Sequence, residues 1–147
     1  LGMNIAGLDL SEQMLKQAVL NHPGLEFRKG NVLDLEFESC SIAGVVSFYA
    51  IVHFSNKQVA RAFGEIFRVL KPGGIFLFTY HMGKEAIQIE TFLGKTVDIE
   101  LMLFRADFIH NCLNKNGFEI IDAVDRDPYP GVEYETRRAY VFAKKPH

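Results

Sequence analysis

Asn4-Ile5-Ala6-Gly7-Leu8-Asp9-Leu10-Ser11-Glu12-Gln13-Met14-Leu15-Lys16-Gln17-Ala18 is the stretch whose reading decides the fold. Residues 4–8 are short and apolar, as in a buried strand, and Asp9 ends the run. Ser11 follows as a helix N-cap, with Glu12 well placed in the first turn. Met14, Leu15, Ala18 and Val19 share one helical face, and His22-Pro23-Gly24 stops the helix. A strand that passes through an acidic residue directly into a helix is the opening of a βαβ unit.

The rest of the chain repeats that alternation. Residues 25–29 read as a second strand ending at Gly30-Asn31. Residues 44–49 are continuously apolar, which suits a strand covered on both faces. Ser55 caps a helix whose Val59, Phe63, Ile66, Phe67 and Leu70 form one apolar stripe. Lys71-Pro72-Gly73-Gly74 breaks it and turns into a strand over 75–80. Residues 82–104 are irregular, a lid or a surface insertion. A helix over 106–116 closes at Gly117, and residues 118–124 and 138–143 form a terminal strand pair within 118–147. Alternation of this kind predicts an α/β fold with a doubly wound, mostly parallel sheet and helices on both faces.

A chain of 147 residues suits a single domain spanning 1–147. Hydrophobic residues at 48% and charged residues at 23% exclude a disordered or collagen-like chain. A net charge of -2 argues against a nucleic-acid or membrane-surface partner, which calls for a basic face. No apolar run approaches the roughly 20 residues of a membrane span, and no secretory leader is visible, so the expectation is a cytoplasmic protein. Cys40 and Cys112 lie far apart, and the histidines lack ligand spacing, so neither a disulfide framework nor a metal site is expected.

In an open α/β sheet, ligands bind beyond the carboxyl ends of the strands. That rule selects Asp9, Asn31, Phe48-Tyr49 and Tyr80-His81. A carboxylate at the end of an early strand accepts both hydroxyl protons of a ribose. From the residues alone, Asp9 serves equally well as a ribose ligand or as a local cap for the following helix.

The run from Ile5 to Ala18, with its G-x-D-x-S-x-x-M-L-x-x-A spacing, resembles the acidic ribose-binding segment of class I S-adenosylmethionine-dependent methyltransferases. Gly30-Asn31-Val32-Leu33-Asp34 is similar to that family's adenine-side segment, with Asn31 where the family usually has Asp. Arg68-Val69-Leu70-Lys71-Pro72-Gly73-Gly74 is similar to its helix-to-strand hallmark, which is architectural. The resemblance covers residues 1–81 well and the tail more loosely. A family Phe-Asp pair is replaced by Ile42-Ala43.

The resemblance implies a seven-stranded-type sheet and S-adenosyl-L-methionine as cofactor. It implies cofactor contacts from Asp9, Leu10, Met14, Asn31, Val32, Phe48 and Tyr49. It further implies methyl transfer to a small molecule by direct in-line displacement, with the acceptor between residues 82–104 and 129–138. His53, His81, Arg137 and Arg138 are candidate acceptor contacts, and His81 is the one candidate base. For Arg137 and Arg138 the stronger reading is a solvated strand edge with cross-strand ion pairs.

The family's glycine-rich cofactor loop belongs about twenty residues before Asp9, together with its first strand and first helix. None of the three is found in this sequence. The favoured expectation is a fragment of a longer chain, with a sheet closed by direct pairing or by a homo-oligomer as the other explanation. The alternative function is a non-catalytic module for dimerisation or partner binding. A nicotinamide-dependent oxidoreductase shares the ribose acid, but the segments 11–18 and 68–74 favour the methyltransferase.

Overall fold

The computed structural model describes residues 2–92 and 94–147, and for Phe92 the backbone only. Leu1, where the resemblance begins, and Leu93, within the irregular 82–104 stretch, lie outside the described residues. The chain divides into two compact units, Leu1–Glu36 and Phe37–His147.

In the first unit, β1 (Ala6–Asp9) and β2 (Glu26–Lys29) pair in parallel around α1 (Glu12–Asn21). Ser11 caps α1, its hydroxyl accepting the Met14 N–H at 3.3 Å. Gly7 stands opposite Phe27, and a Cβ there would meet the Phe27 ring at 2.6 Å, so only glycine lets the ring lie on β1. No described residue of this unit is buried.

The second unit carries the core. Its sheet has the order β3-β4-β8-β7, from β3 (Ile42–Phe48), β4 (Leu70–His81), β7 (Glu119–Arg126) and β8 (Arg138–Lys144). β3 and β4 are parallel, while β8 runs antiparallel between β4 and β7. The α/β class is as the sequence reads, and the sheet is mixed. Antiparallel insertion of β8 follows from the short connection between β7 and β8, too short for a parallel crossover.

Both helices of this unit, α2 (Asn56–Val69) and α3 (Ala106–Lys115), pack on the face bearing Phe76, Phe78 and Tyr80. Phe63 of α2 is fully buried against Phe76 and Phe78, ring centroids 5.5 and 5.0 Å apart. Cys112 is buried on α3, as its place on the apolar side of that helix implies. The Pro72-Gly73-Gly74 turn falls inside β4 instead of ahead of it. α2 ends at Val69 and the strand starts at once, so the turn becomes a register shift between Ile42 and Gly44 on the neighbouring strand. Gly73 sits there at φ +79, a conformation glycine adopts without strain.

Two further differences from the sequence reading matter for function. Residues 82–104 are not irregular: β5 (Ile87–Phe92) and β6 (Lys95–Leu101) form an antiparallel hairpin. Its signal was present as the alternation Val97-Asp98-Ile99-Glu100-Leu101. Among the described residues, β1 bonds only to β2 and β3 only to β4, so each leaves one edge without a strand partner. On the face away from α2 and α3, Val46 is 62% and Phe48 57% exposed.

Candidate functional site

In the first unit, the parallel register brings Asp9 opposite Lys29, and Gly30 N–H donates to the Asp9 carbonyl at 3.1 Å. The carboxyl ends of β1 and β2 therefore set Asp9 and Asn31 close together. Asp9 Oδ1 accepts the Ser11 N–H at 2.7 Å, and its other oxygen has no hydrogen bond among the described residues. Asp9 thus serves the helix start and still offers an exposed acceptor. Leu10 and Met14 beside it are each 59% exposed.

Asn31 is bonded locally by its side chain. Its amide oxygen accepts the Leu33 N–H at 3.0 Å in a local turn, which leaves the amide NH2 as the outward group. A purine ring nitrogen, an acceptor, suits it better than the exocyclic amine. Val32 follows it, half-buried. An exposed carboxylate, an amide and two open apolar side chains are a set of groups that fits an adenosine.

In the second unit, the carboxyl ends of β3 and β4 gather a polar network that sequence reasoning located only in part. Tyr49 follows β3 at φ +54, a strained conformation for a residue with a side chain. Its N–H is held by the Thr79 carbonyl and hydroxyl at 3.3 and 3.0 Å. Its ring stacks on His81 with centroids 4.7 Å apart. Phe48 points away from this stack into solvent, at 57% exposure.

His81 ends β4, and its Nδ1 bonds the Thr136 hydroxyl at 2.7 Å. Burial, aided by the Arg138 charge, lowers its pKa and favours the neutral ring. Arg138 opposite it is buried, its Nη1 and Nη2 donating to the Thr136 and Tyr134 carbonyls at 2.6 and 3.1 Å. That guanidinium holds a loop. Arg137 pairs with Asp125 and Asp127, the cross-strand arrangement of a solvated edge. Arg138 is buried on those carbonyls, while the Arg137 side chain stays 56% exposed.

Arg126, Glu133 and Tyr140 complete the network, and the sequence reading missed Arg126 and Tyr140 as site residues. Arg126 and Glu133 form a bidentate pair at 2.7 and 2.8 Å, with Arg126 4.4 Å over the Tyr129 ring. Glu133 is pulled down to about 2, chiefly by the bond from Arg126 and then by the Tyr129 N–H. Arg126 Nη2 also donates to the Tyr140 hydroxyl at 3.1 Å. Arg126 lies opposite Arg138, and Arg138 opposite His81, one row across three strands. Only strand pairing creates that row, so no local signal marks it.

The hairpin is stitched to the same ends. Met102 N–H donates to the Val52 carbonyl at 2.7 Å, Phe104 N–H to His81 at 3.0 Å, and His53 Nδ1 lies 3.1 Å from the Glu100 carbonyl. His53 thereby anchors the base of the hairpin. A cavity of about 430 Å³ is lined by Ile87 of the hairpin and by Glu133, Tyr134 and Glu135. Among the described residues no three His, Cys, Asp or Glu side chains gather as for a metal ion, and no helix is long and apolar enough to cross a membrane.

Residues 1–78 match the model of a methyltransferase domain family. Over 149 aligned residues the chain is 28% identical to 24-methylenesterol C-methyltransferase 2 of Oryza sativa subsp. japonica, covering 92% of this chain and 40% of that protein. It is 34% identical over 73 residues to the demethylmenaquinone methyltransferase of Chlorobaculum tepidum, covering 50% of this chain and 29% of the other. The fold is similar to that of a SAM-dependent methyltransferase from Methanosarcina mazei, TM-score 0.81 at 18% identity, over 96% of this chain and 81% of that one. The chain spans less than half the length of the curated relatives it matches.

Proposed function

Since the chain belongs to the class I S-adenosylmethionine-dependent methyltransferase family, we propose that it takes part in methyl transfer to a small-molecule acceptor by direct in-line displacement. The cofactor is S-adenosylmethionine, whose sulfonium supplies an electrophilic methyl group. The observation that carries the reading is the parallel β1–β2 pair, which brings Asp9 and Asn31 to one pair of strand ends. Asp9 would hold the ribose hydroxyls through its open oxygen, and Asn31 would donate to the purine. Leu10, Met14 and Val32 would supply apolar contact to the ring.

An acceptor would lie at the rim of Tyr49 and His81, whose rings stack on one another. The curated relatives named for sterol and quinone substrates support a small-molecule acceptor. Catalysis would come mainly from proximity and alignment, since a sulfonium methyl needs little activation.

A second reading, a non-catalytic binding module, is favoured by one observation: an amide stands at Asn31 where the family usually has a carboxylate, the stronger acceptor. Calorimetry with S-adenosylmethionine on the longest polypeptide its gene encodes separates the two. The methyltransferase reading expects binding that Asp9→Ala weakens about tenfold or more, the loss of a charge-assisted hydrogen bond. Absence of binding in that polypeptide, or binding indifferent to Asp9→Ala, supports the module.

A further inference from the structure

At the carboxyl end of β4, the acceptors of His81 are already taken. Its carbonyl accepts the Phe104 N–H at 3.0 Å, and its ring nitrogen Nδ1 lies 2.7 Å from the Thr136 hydroxyl. Thr136 is 7% exposed, and among the described residues its hydroxyl meets no other acceptor. Were Nδ1–H the donor of that bond, the hydroxyl proton would be left buried with no partner, at the full desolvation penalty of a donor. With the hydroxyl as donor, the ring proton moves to Nε2. That nitrogen reaches the surface, since it has no protein partner and no buried side-chain nitrogen or oxygen among the described residues lacks a hydrogen bond. Thr136 therefore donates to Nδ1, and His81 presents Nε2–H outward. A neutral ring in this tautomer has no bare nitrogen left to act as a base. It is a donor.

The ring is held as well as oriented. Tyr49 stacks on it with centroids 4.7 Å and planes 26° apart. Tyr49 is itself kept at φ +54, its N–H accepted by both the carbonyl and the hydroxyl of buried Thr79. Met82 N–H donates to the Arg137 carbonyl at 2.8 Å, which ties the strand end to the segment carrying Thr136. A donor fixed on these sides loses little freedom on binding, and strained backbone of the Tyr49 kind clusters at ligand clamps.

Charge around the ring is balanced. Arg126 and Arg138 lie 2.7 and 3.4 Å from Glu133, and Glu135 adds a second carboxylate on the wall of the cavity of about 430 Å³. Arg137, Asp125 and Asp127 form a separate set at the exposed edge, where salt screens them. Two cations against two anions select neither sign of ligand. A lone neutral donor suits an uncharged oxygen, and a carbonyl oxygen takes a hydrogen bond without bringing a proton that needs an acceptor in return.

We propose that His81 binds the carbonyl oxygen of an uncharged ligand through Nε2–H, with Thr136 as the positioning residue that fixes the tautomer. That this ligand is the methyl acceptor rests on the function proposed above; the donor site itself does not.

The 15N-labelled full chain is read first alone, at a pH above 6.5, where the ring is neutral. Long-range 1H–15N spectra are expected to show His81 protonated on Nε2 and bare on Nδ1. Thr136→Val should let the proton divide between the two nitrogens, and Thr136→Ser should restore the wild-type pattern. Acetophenone, an uncharged ketone, is then titrated beside ethylbenzene, which has a similar shape without the oxygen. Acetophenone is expected to move the Nε2 resonance in the millimolar range, and ethylbenzene to leave it in place. His81→Gln keeps an N–H near the Nε2 position and should bind acetophenone as the wild type does. His81→Phe should lose about fivefold, the worth of one neutral hydrogen bond. A wild-type proton on Nδ1, a Thr136→Val ring with the wild-type pattern, an Nε2 resonance that answers both probes alike, or undiminished binding by His81→Phe overturns the donor site. The wild-type tautomer needs no substitution, so it decides even where a variant does not fold. Calorimetry with S-adenosylmethionine on the longest polypeptide the gene encodes keeps the two ideas apart: acetophenone at Nε2 without cofactor binding overturns the function, and the converse overturns only the donor site.

Discussion

Glu133 is the residue on which the loop between β7 and β8 turns. Its carboxyl lies near 2 instead of 4.5, because Arg126 and the Tyr129 N–H bond the charged form. Between those values the unfolded chain binds more protons than the folded one. The Glu133 contribution to stability is therefore complete above 4.5 and lost as pH falls through about 2. Thermal melts across that acid range should show a steeper decline for the wild type than for Glu133→Gln. Equal slopes would mean the pair is not formed in solution. His81 follows the same sign: its lowered pKa places its contribution above 6.5, lost as the ring is protonated. Its NMR titration should have a midpoint below 6.5. In the core, Phe63 is fully buried between two phenylalanines, and Phe63→Ala should cost about 3–5 kcal/mol in denaturant unfolding. A loss near zero would mean that the site collapses around the smaller side chain. Asp9 was legible as a candidate from its place at a strand end. Arg126 and Tyr140 were not, because what makes them partners is cross-strand register between segments far apart in sequence.

Among the elements, α2 carries the best local signal. Ser55 and Gln58 form a reciprocal capping box, with Ser55 N–H donating to Gln58 Oε1 at 2.9 Å and the Ser55 hydroxyl accepting Gln58 N–H at 3.4 Å. Ser55→Ala should destabilise the second unit by about 1 kcal/mol in denaturant titrations. No change would mean that the box is open in solution. β3 carries a different consequence. Among the described residues it bonds to β4 alone, and it exposes Val46 and Phe48, an apolar edge of the kind that pairs with other chains. Light scattering should find self-association that Val46→Lys reduces. A monodisperse monomer across concentrations would mean that the edge is protected. The β5–β6 hairpin shows where reading by element fell short. Its alternation was visible, but Gly83, Lys84 and Glu85 ahead of it read as loop, and its attachment to Val52 and His81 depends on backbone bonds that sequence does not encode locally.

At the scale of the whole molecule, burial is unevenly shared. Every buried residue among those described lies in Phe37–His147, and Leu1–Glu36 contains none. Amide hydrogen exchange should therefore show slow exchange in β4, β8 and α2, and much faster exchange throughout β1, α1 and β2. Equal protection in both units would mean that the first gains burial in solution that this structure lacks. Local order was determined by the sequence itself: caps at Ser11 and Ser55, the stripe on α2, the glycine at Gly117 and the acidic strand end at Asp9 all act within a few residues. Hydrogen bonds and side-chain periodicity of that range are written directly in residue order, so the α/β class followed from them. Tertiary structure alone decided that β8 lies between β4 and β7, and that His81, Arg138 and Arg126 stand in one row. It alone decided that the Arg138 guanidinium is buried on the Thr136 and Tyr134 carbonyls. The physical reason is that a side chain's chemistry depends on which of its donors and acceptors are already satisfied, and those partners are chosen by the packing of distant segments.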